Sequence, residues 1–140
     1  MYISIVTLHV DDIDRAVKFY TEKLGWKVTM DVPMGEDRWV TIAPADASST
    51  HGAGAAFNPT TASFTISKRD PDDPGDKPGM SGVILETDDV FATHKKLSSA
   101  GVEFTADPQM MPWGGWTMFK DTEGNVHGLH SPATAGVSSN

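Results

Sequence analysis

The sequence predicts an α+β fold built from two paired βαβββ modules, and three observations carry that reading. The step Val10-Asp11-Asp12-Ile13 returns as Thr87-Asp88-Asp89-Val90, a constant offset of 77 residues. Each copy follows a stretch with strand alternation and precedes one with helical periodicity. Each helical stretch also ends at a glycine, Gly25 and Gly101, which agree with that offset to within one residue. One such module could not cover both faces of its short sheet, so two must pair into one structural domain.

Taken in order, Tyr2 to Val10 alternates polar and apolar residues and is rich in β-branched side chains, as a strand requires. Asp11-Asp12 supplies an N-cap and negative charge where a helix starts. Ile13, Ala16, Val17, Tyr20 and Leu24 then mark one face of an amphipathic helix that Gly25 stops. Trp26 to Val32 and Arg38 to Ala43 read as strands joined by a turn at Met34-Gly35-Glu36-Asp37. Pro44 to Gly54 reads as a loop or lid, Ala53 to Phe57 as a weak strand candidate and Ser63 to Ser67 as a better one. The first module thus spans 1–67, and the Asp- and Pro-rich stretch 68–79 reads as a linker.

The second module spans 80–131. Ser81 to Thr87 is its opening strand, Val90 to Ala100 its helix, and Val102 to Phe104 the start of the next strand. Gly114-Gly115 would weaken a strand interior, so the following strand is placed at Trp116 to Lys120. A turn at Asp121 to Asn125 leads into a last strand, Val126 to His130. The Ala/Ser/Thr-rich tail 132–140 is expected to be disordered.

Composition narrows the function classes. A formal charge of −8 with scattered Lys and Arg argues against a nucleic-acid partner. No stretch approaches the roughly 20 apolar residues that a spanning helix needs, so no membrane role is expected. The absence of cysteine removes disulfides, thiolate metal sites and cysteine nucleophiles. With no basic region or apolar signal core in Met1 to Ile5, a cytoplasmic location is expected.

Two motifs at opposite ends of the duplicated pattern resemble the vicinal oxygen chelate superfamily, which includes glyoxalases, bleomycin resistance proteins and dioxygenases. Val10-Asp11-Asp12-Ile13 followed by Phe19-Tyr20-Thr21-Glu22-Lys23-Leu24-Gly25 is similar to its module opening. Phe119-Lys120-Asp121-Thr122-Glu123-Gly124-Asn125 is similar to its C-terminal hallmark. The resemblance covers about residues 2–131 and implies paired modules curled into a cup, commonly in homodimers. It also implies a metal held by one ligand on each of several cup strands. Three of those positions are Ile5, Gly82 and Gly128 in this sequence, and none of the three carries a donor atom. The remaining ligand, on a middle strand, is not placed by the sequence.

Strand parity names the residues that share the face of those positions. They are Thr7 and His9 on the first strand, Ile84 and Glu86 on the strand opening the second module, and Val126 and His130 on the last. His9 and Glu86 are related by the 77-residue offset. Their sharp reading is a displaced metal site of His9, Glu86 and His130, or a metal-free acid–base pair of His9 and Glu86. The bland one is a His–Glu hydrogen bond or plain pocket polarity. Trp39, Trp113, Trp116 and Met118 would add a flat aromatic and soft wall suited to a planar or cationic organic molecule, with core packing as the alternative. Met110 and Met111 would extend it, and Arg38 and Lys120 are weaker anchors for a negative group. Trp26 reads as core, His94 as solvated, His51 as a surface or lid residue, and His127, of opposite parity to His130, as outward-pointing.

The expectation is therefore a metal-independent small-molecule-binding protein that sequesters a drug or metabolite, with no cofactor and Thr7, His9, Trp39, Glu86, Trp113, Trp116, Met118 and His130 at its site. Its rivals are a lyase, isomerase or dioxygenase-like enzyme using a displaced divalent metal or the acid–base pair, and a subunit whose aromatic surface meets a protein partner.

Overall fold

A computed structural model describes residues 3–45 and 62–133. His51, the strand candidate at Ala53 to Phe57, most of the loop after Ala45 and the tail beyond Ala133 lie outside the described residues. The chain divides into two compact units, Met1–Lys77 and Pro78–Asn140.

The first unit carries β1 (Ile5–Val10), α1 (Ile13–Lys18), β2 (Lys27–Met34), β3 (Asp37–Ala43) and β4 (Ser63–Lys68). Asp12 caps α1 by accepting from the Arg15 backbone N–H at 3.0 Å, the role that its sequence position predicts. The predicted helix does not stay α-helical to Leu24. Phe19–Lys23 widens into a π turn, and both Phe19 and Tyr20 are buried. Two adjacent aromatics stand about 100° apart on an α-helix, so a local widening is how the turn brings both inward. The strands run in the order β1-β4-β3-β2, with β1 and β4 parallel and the other pairs antiparallel. Leu8, Val10, Val40, Ile42, Phe64 and Ile66 form the buried face, where Phe64 meets Tyr20 edge-on and Trp26 packs against both. Trp26, expected as core, is half-buried at the edge of this cluster.

The second unit repeats the plan with β5 (Met80–Glu86), α2 (Val90–Ser99), β6 (Glu103–Phe104), β7 (Gln109–Met111), β8 (Gly114–Lys120) and β9 (Val126–Ser131). Asp89 caps α2 through the N–H groups of Phe91 and Ala92, 77 residues after Asp12. Gly25 and Gly101 take positive φ at the two helix ends. The sheet order β5-β9-β8-β6 mirrors the first, with β5 and β9 parallel. A shared topology as well as a shared sequence step establishes the duplication, and the whole is an α+β fold with two mixed sheets.

Two strand expectations are corrected. Sequence reading misses β7, a short edge strand paired to β8, and starts β8 two residues late. Gly114 and Gly115 belong to the strand because neighbours crowd them. A Cβ on Gly115 would stand 2.5 Å from Val90 Cγ1 of α2 and equally close to Ser131 Oγ. The glycine lets the helix approach the sheet.

The C-terminal hallmark is a structural turn. The Asp121 carboxylate is buried and accepts from the backbone N–H groups of Glu123 and Asn125, each at 2.8 Å, and from the Asn125 side-chain amide at 3.0 Å. Asp121→Ala should lower the unfolding free energy by about 2 kcal/mol, since three buried donors lose their acceptor. Urea denaturation measures it, and an unchanged midpoint would show that the turn holds without the carboxylate.

Candidate functional site

Each sheet buries one face against its helix, and pleating turns alternate side chains to the other face. In the second unit Phe119 and Leu129 are buried, while Gly82, Ile84 and Glu86 of β5, Gly128 and His130 of β9, and Trp116 and Met118 of β8 stand on the opposite face. Ile84 is 61% exposed and Trp113 52%, so this face is apolar and accessible.

Its centre is a pairing of a hole with a ring. A Cβ on Gly128 would collide with the Trp116 indole and stand 3.2 Å from Ile84 Cγ1. The indole therefore lies where any side chain at position 128 would begin. Trp113 meets Trp116 edge-on at 5.5 Å and stacks on the His130 imidazole at 5.8 Å, with 17° between the planes. Strand parity in the sequence puts Ile84, Glu86 and His130 on one face, and the register adds Trp116 to it, with Trp113 beside them.

His130 is held at both nitrogens. Nδ1–H donates to Glu86 Oε1 at 2.5 Å and Nε2–H to the Trp113 carbonyl at 3.0 Å. A carbonyl can only accept, so Nε2 carries a proton, and a second proton at Nδ1 serves the carboxylate. The pKa of His130 is accordingly raised, first by the Trp113 carbonyl and then by Glu86. Both contacts favour the charged form of the ring, which lies stacked on the Trp113 indole with Glu86 at its other side.

In the first unit the face opposite α1 carries Thr7 and His9 of β1, Trp39 and Thr41 of β3, and Ser63 and Thr65 of β4. His9 Nδ1–H donates to Asp76 at 3.0 Å, in the stretch that follows β4. Asp76 also accepts from the Asp70 N–H at 2.7 Å, the main reason its pKa lies below the usual carboxylate range, with His9 adding to it. The weaker anchors are also engaged. Arg38 bridges Asp14 at 2.6 Å and Asp31 at 3.0 Å, chiefly through the Asp31 contact that raises its pKa, and Lys120 pairs with Glu103 at 3.3 Å. His94 lies edge-on to Phe104 at 4.4 Å on α2.

One expectation reverses. His127 does have the opposite parity to His130, but its side chain points into the core and is fully buried. Its Nδ1–H donates to Ser81 Oγ at 2.7 Å, and the Ser81 hydroxyl in turn donates to the Val126 carbonyl at 3.1 Å. Parity sorts residues between two faces, but only the placement of α2 says which of them is the interior.

The register also places the metal position that sequence alone leaves open. Thr7 pairs with Thr65 in the first unit as Ile84 pairs with Gly128 in the second. Thr65 is thus the topological equivalent of Gly128. The four positions read Ile5, Thr65, Gly82 and Gly128, a set without imidazole or carboxylate, and Trp116 fills the space above the last. These residues do not fit a divalent metal. Nor, among the described residues, do three or more His, Asp or Glu side chains gather elsewhere as a ligand set. His130 and Glu86 bond each other in the second unit, and His9 bonds Asp76 in the first.

Comparison with known proteins shows the family and the fold. The family model described as the glyoxalase/bleomycin resistance protein/dioxygenase superfamily matches residues 2–127. The Bacillus subtilis protein YetH, described as uncharacterized, is 33% identical over 125 residues, covering 89% of this chain and 92% of YetH. A member of the same superfamily from Sphaerobacter thermophilus superposes with a TM-score of 0.77 at 29% identity, over 94% of this chain and 97% of that one. TnmS3, an antibiotic binding protein from a Streptomyces species, superposes with a TM-score of 0.72 at 31% identity, over 94% and 96%.

Proposed function

Since the chain belongs to the glyoxalase/bleomycin resistance protein/dioxygenase superfamily, we propose that it binds small organic molecules without a metal, and that the face around Trp116 receives a planar one. The observation that carries this reading is the indole lying over Gly128. The position at which metal-using relatives are expected to present a carboxylate is here a hole filled by an aromatic ring. Such a ring, with Trp113 and Ile84 exposed beside it, offers stacking area and few strong donors, the makeup of a binding site without chemistry. Likeness to an antibiotic binding protein supports the same class, and sequestration of a drug or metabolite is the role it would serve.

The acid–base rival finds less support. Its two members, His9 and Glu86, each bond another side chain: His9 donates to Asp76 and Glu86 accepts from His130. The His130–Glu86 pairing shapes the wall beside Trp113. Among the described residues no helix is long and apolar enough to cross a membrane.

Calorimetric titration of metal-stripped protein with nickel, zinc and manganese tests metal independence. No stoichiometric heat is expected from any of the three. Tight one-to-one binding that is lost in His9→Ala or Glu86→Ala would overturn the reading and bring the displaced-metal enzyme forward.

A further inference from the structure

The Trp116 face of the second unit carries an exposed carboxylate that is held in place yet keeps an oxygen open. Glu86 stands two residues after Ile84 on β5, about 7 Å further along the strand and on the same face. The register sets it in one cross-strand row with His130 of β9 and Trp116 of β8. Its side chain is 59% exposed and Ile84 is 61% exposed, so a molecule lying on this face reaches both. Glu86 Oε1 accepts from His130 Nδ1–H, while among the described residues Oε2 has no partner.

An exposed glutamate is ordinarily a mobile, hydrated group, and an ion pair this open to water adds little to stability. Glu86 differs in being tied to the aromatic wall. His130 holds its carboxylate through Nδ1, stacks on the Trp113 indole and holds the Trp113 carbonyl through Nε2. The open oxygen is thereby fixed beside the two indoles with its rotamer already chosen. A ligand that uses it is spared part of the ordering that binding otherwise requires. Lys120, on the same face of β8, is paired with Glu103 and leaves Glu86 as the acceptor nearest the rings.

We propose that Glu86 selects, among planar molecules received by the Trp116 face, those that carry a neutral N–H or O–H donor at the ring edge, which Oε2 accepts. This rests on the small-molecule-binding reading and gives the ligand a chemical class: a planar lactam, aromatic amine or phenol rather than a bare hydrocarbon or an ether. An ionised carboxylate accepts and cannot donate, so an ether or carbonyl oxygen in the same place meets no partner. His130 opposite Glu86 offsets its charge, so the ligand need not bring a positive one. A molecule lacking the donor would cover Oε2 and displace its water without a replacement, which is how a polar group discriminates between near-identical shapes.

The test compares acridone with xanthone, the same tricycle with a ring oxygen in place of the N–H, on wild type, Glu86→Gln and Glu86→Ala. Quenching of tryptophan fluorescence gives the affinities, and thermal unfolding checks that each protein folds. Wild type should bind acridone about tenfold more tightly than xanthone. Both variants should bring the two affinities to within about twofold of each other while keeping that for xanthone. The glutamine variant retains a carbonyl for His130 and turns its NH2 toward the ligand, so it removes the recognition without releasing the histidine. Equal affinity of wild type for the two compounds overturns the proposal, as does a folded variant that keeps the preference. Variants that lose affinity for both compounds alike also overturn it, because Glu86 would then only position His130 and Trp113. If any of these results comes with weaker binding of both compounds to Trp116→Ala, the role of Glu86 falls and the binding reading stands. If wild type binds neither compound, both fall.

Discussion

Replacing Gly114 by alanine should destabilise the protein by about 3 kcal/mol or more, from two sources that add. Gly114 has φ of +130°, a conformation that side chains rarely adopt. Its new methyl would also run into the Ser131 carbonyl oxygen and stand 2.5 Å from His130 Nε2 and 3.2 Å from the Ala133 N–H nitrogen. Two of these three are backbone atoms that cannot rotate away. The imidazole would have to shift, loosening its bonds to Glu86 and the Trp113 carbonyl. Urea denaturation should therefore show a large loss of stability, and ligand affinity should fall with it in protein that still folds. A stability loss under about 1 kcal/mol would mean that β8 relaxes at this point and that the close approach is not required.

Acid should weaken the fold through His127. Burial is the main cause that lowers its pKa from the ordinary 6.5 to about 4, against a smaller opposing pull from the Asp121 charge. The folded pKa is below the unfolded one, so protons bind more tightly to the unfolded chain. The contribution of neutral His127 is then complete above about pH 6.5 and declines as the pH falls toward 4, where it levels off at a loss of about 3 kcal/mol. Other groups titrate across part of this range, so the informative quantity is the difference between wild type and His127→Gln. Wild type should lose about 2–3 kcal/mol more than the variant between pH 7 and pH 4.5. Parallel stability curves would show that His127 is not the group responsible.

Which features were legible in the sequence follows from the distance over which each is determined. The duplication was legible because Asp12 and Asp89 cap their own helices and Gly25 and Gly101 end them, all within a few residues. The common face of Ile84, Glu86 and His130 was legible because pleating has a period of two. The π turn at Phe19–Lys23 was not, since it depends on burying two adjacent aromatics against a sheet formed later in the chain. The strand role of Gly114-Gly115 was not either, because an isolated Gly-Gly signals a weak strand and only the approach of Val90 and His130 reverses that signal. The same limit hid the fit of Trp116 over Gly128, which needs the β8–β9 register. His127 shows the remaining gap: its face was assigned correctly, but the face covered by α2 was not.

The most direct test of the central claim is a titration of acridone, a neutral planar fluorophore, followed by its anisotropy with a chelator present throughout. The account predicts saturable one-site binding to wild type, weakened about 5- to 150-fold in Trp116→Ala as a lost stacking partner worth 1–3 kcal/mol requires, and unaffected by later addition of zinc, nickel or manganese in excess of the chelator. Binding that appears only after the metal is added, or that is unchanged in folded Trp116→Ala, would contradict it.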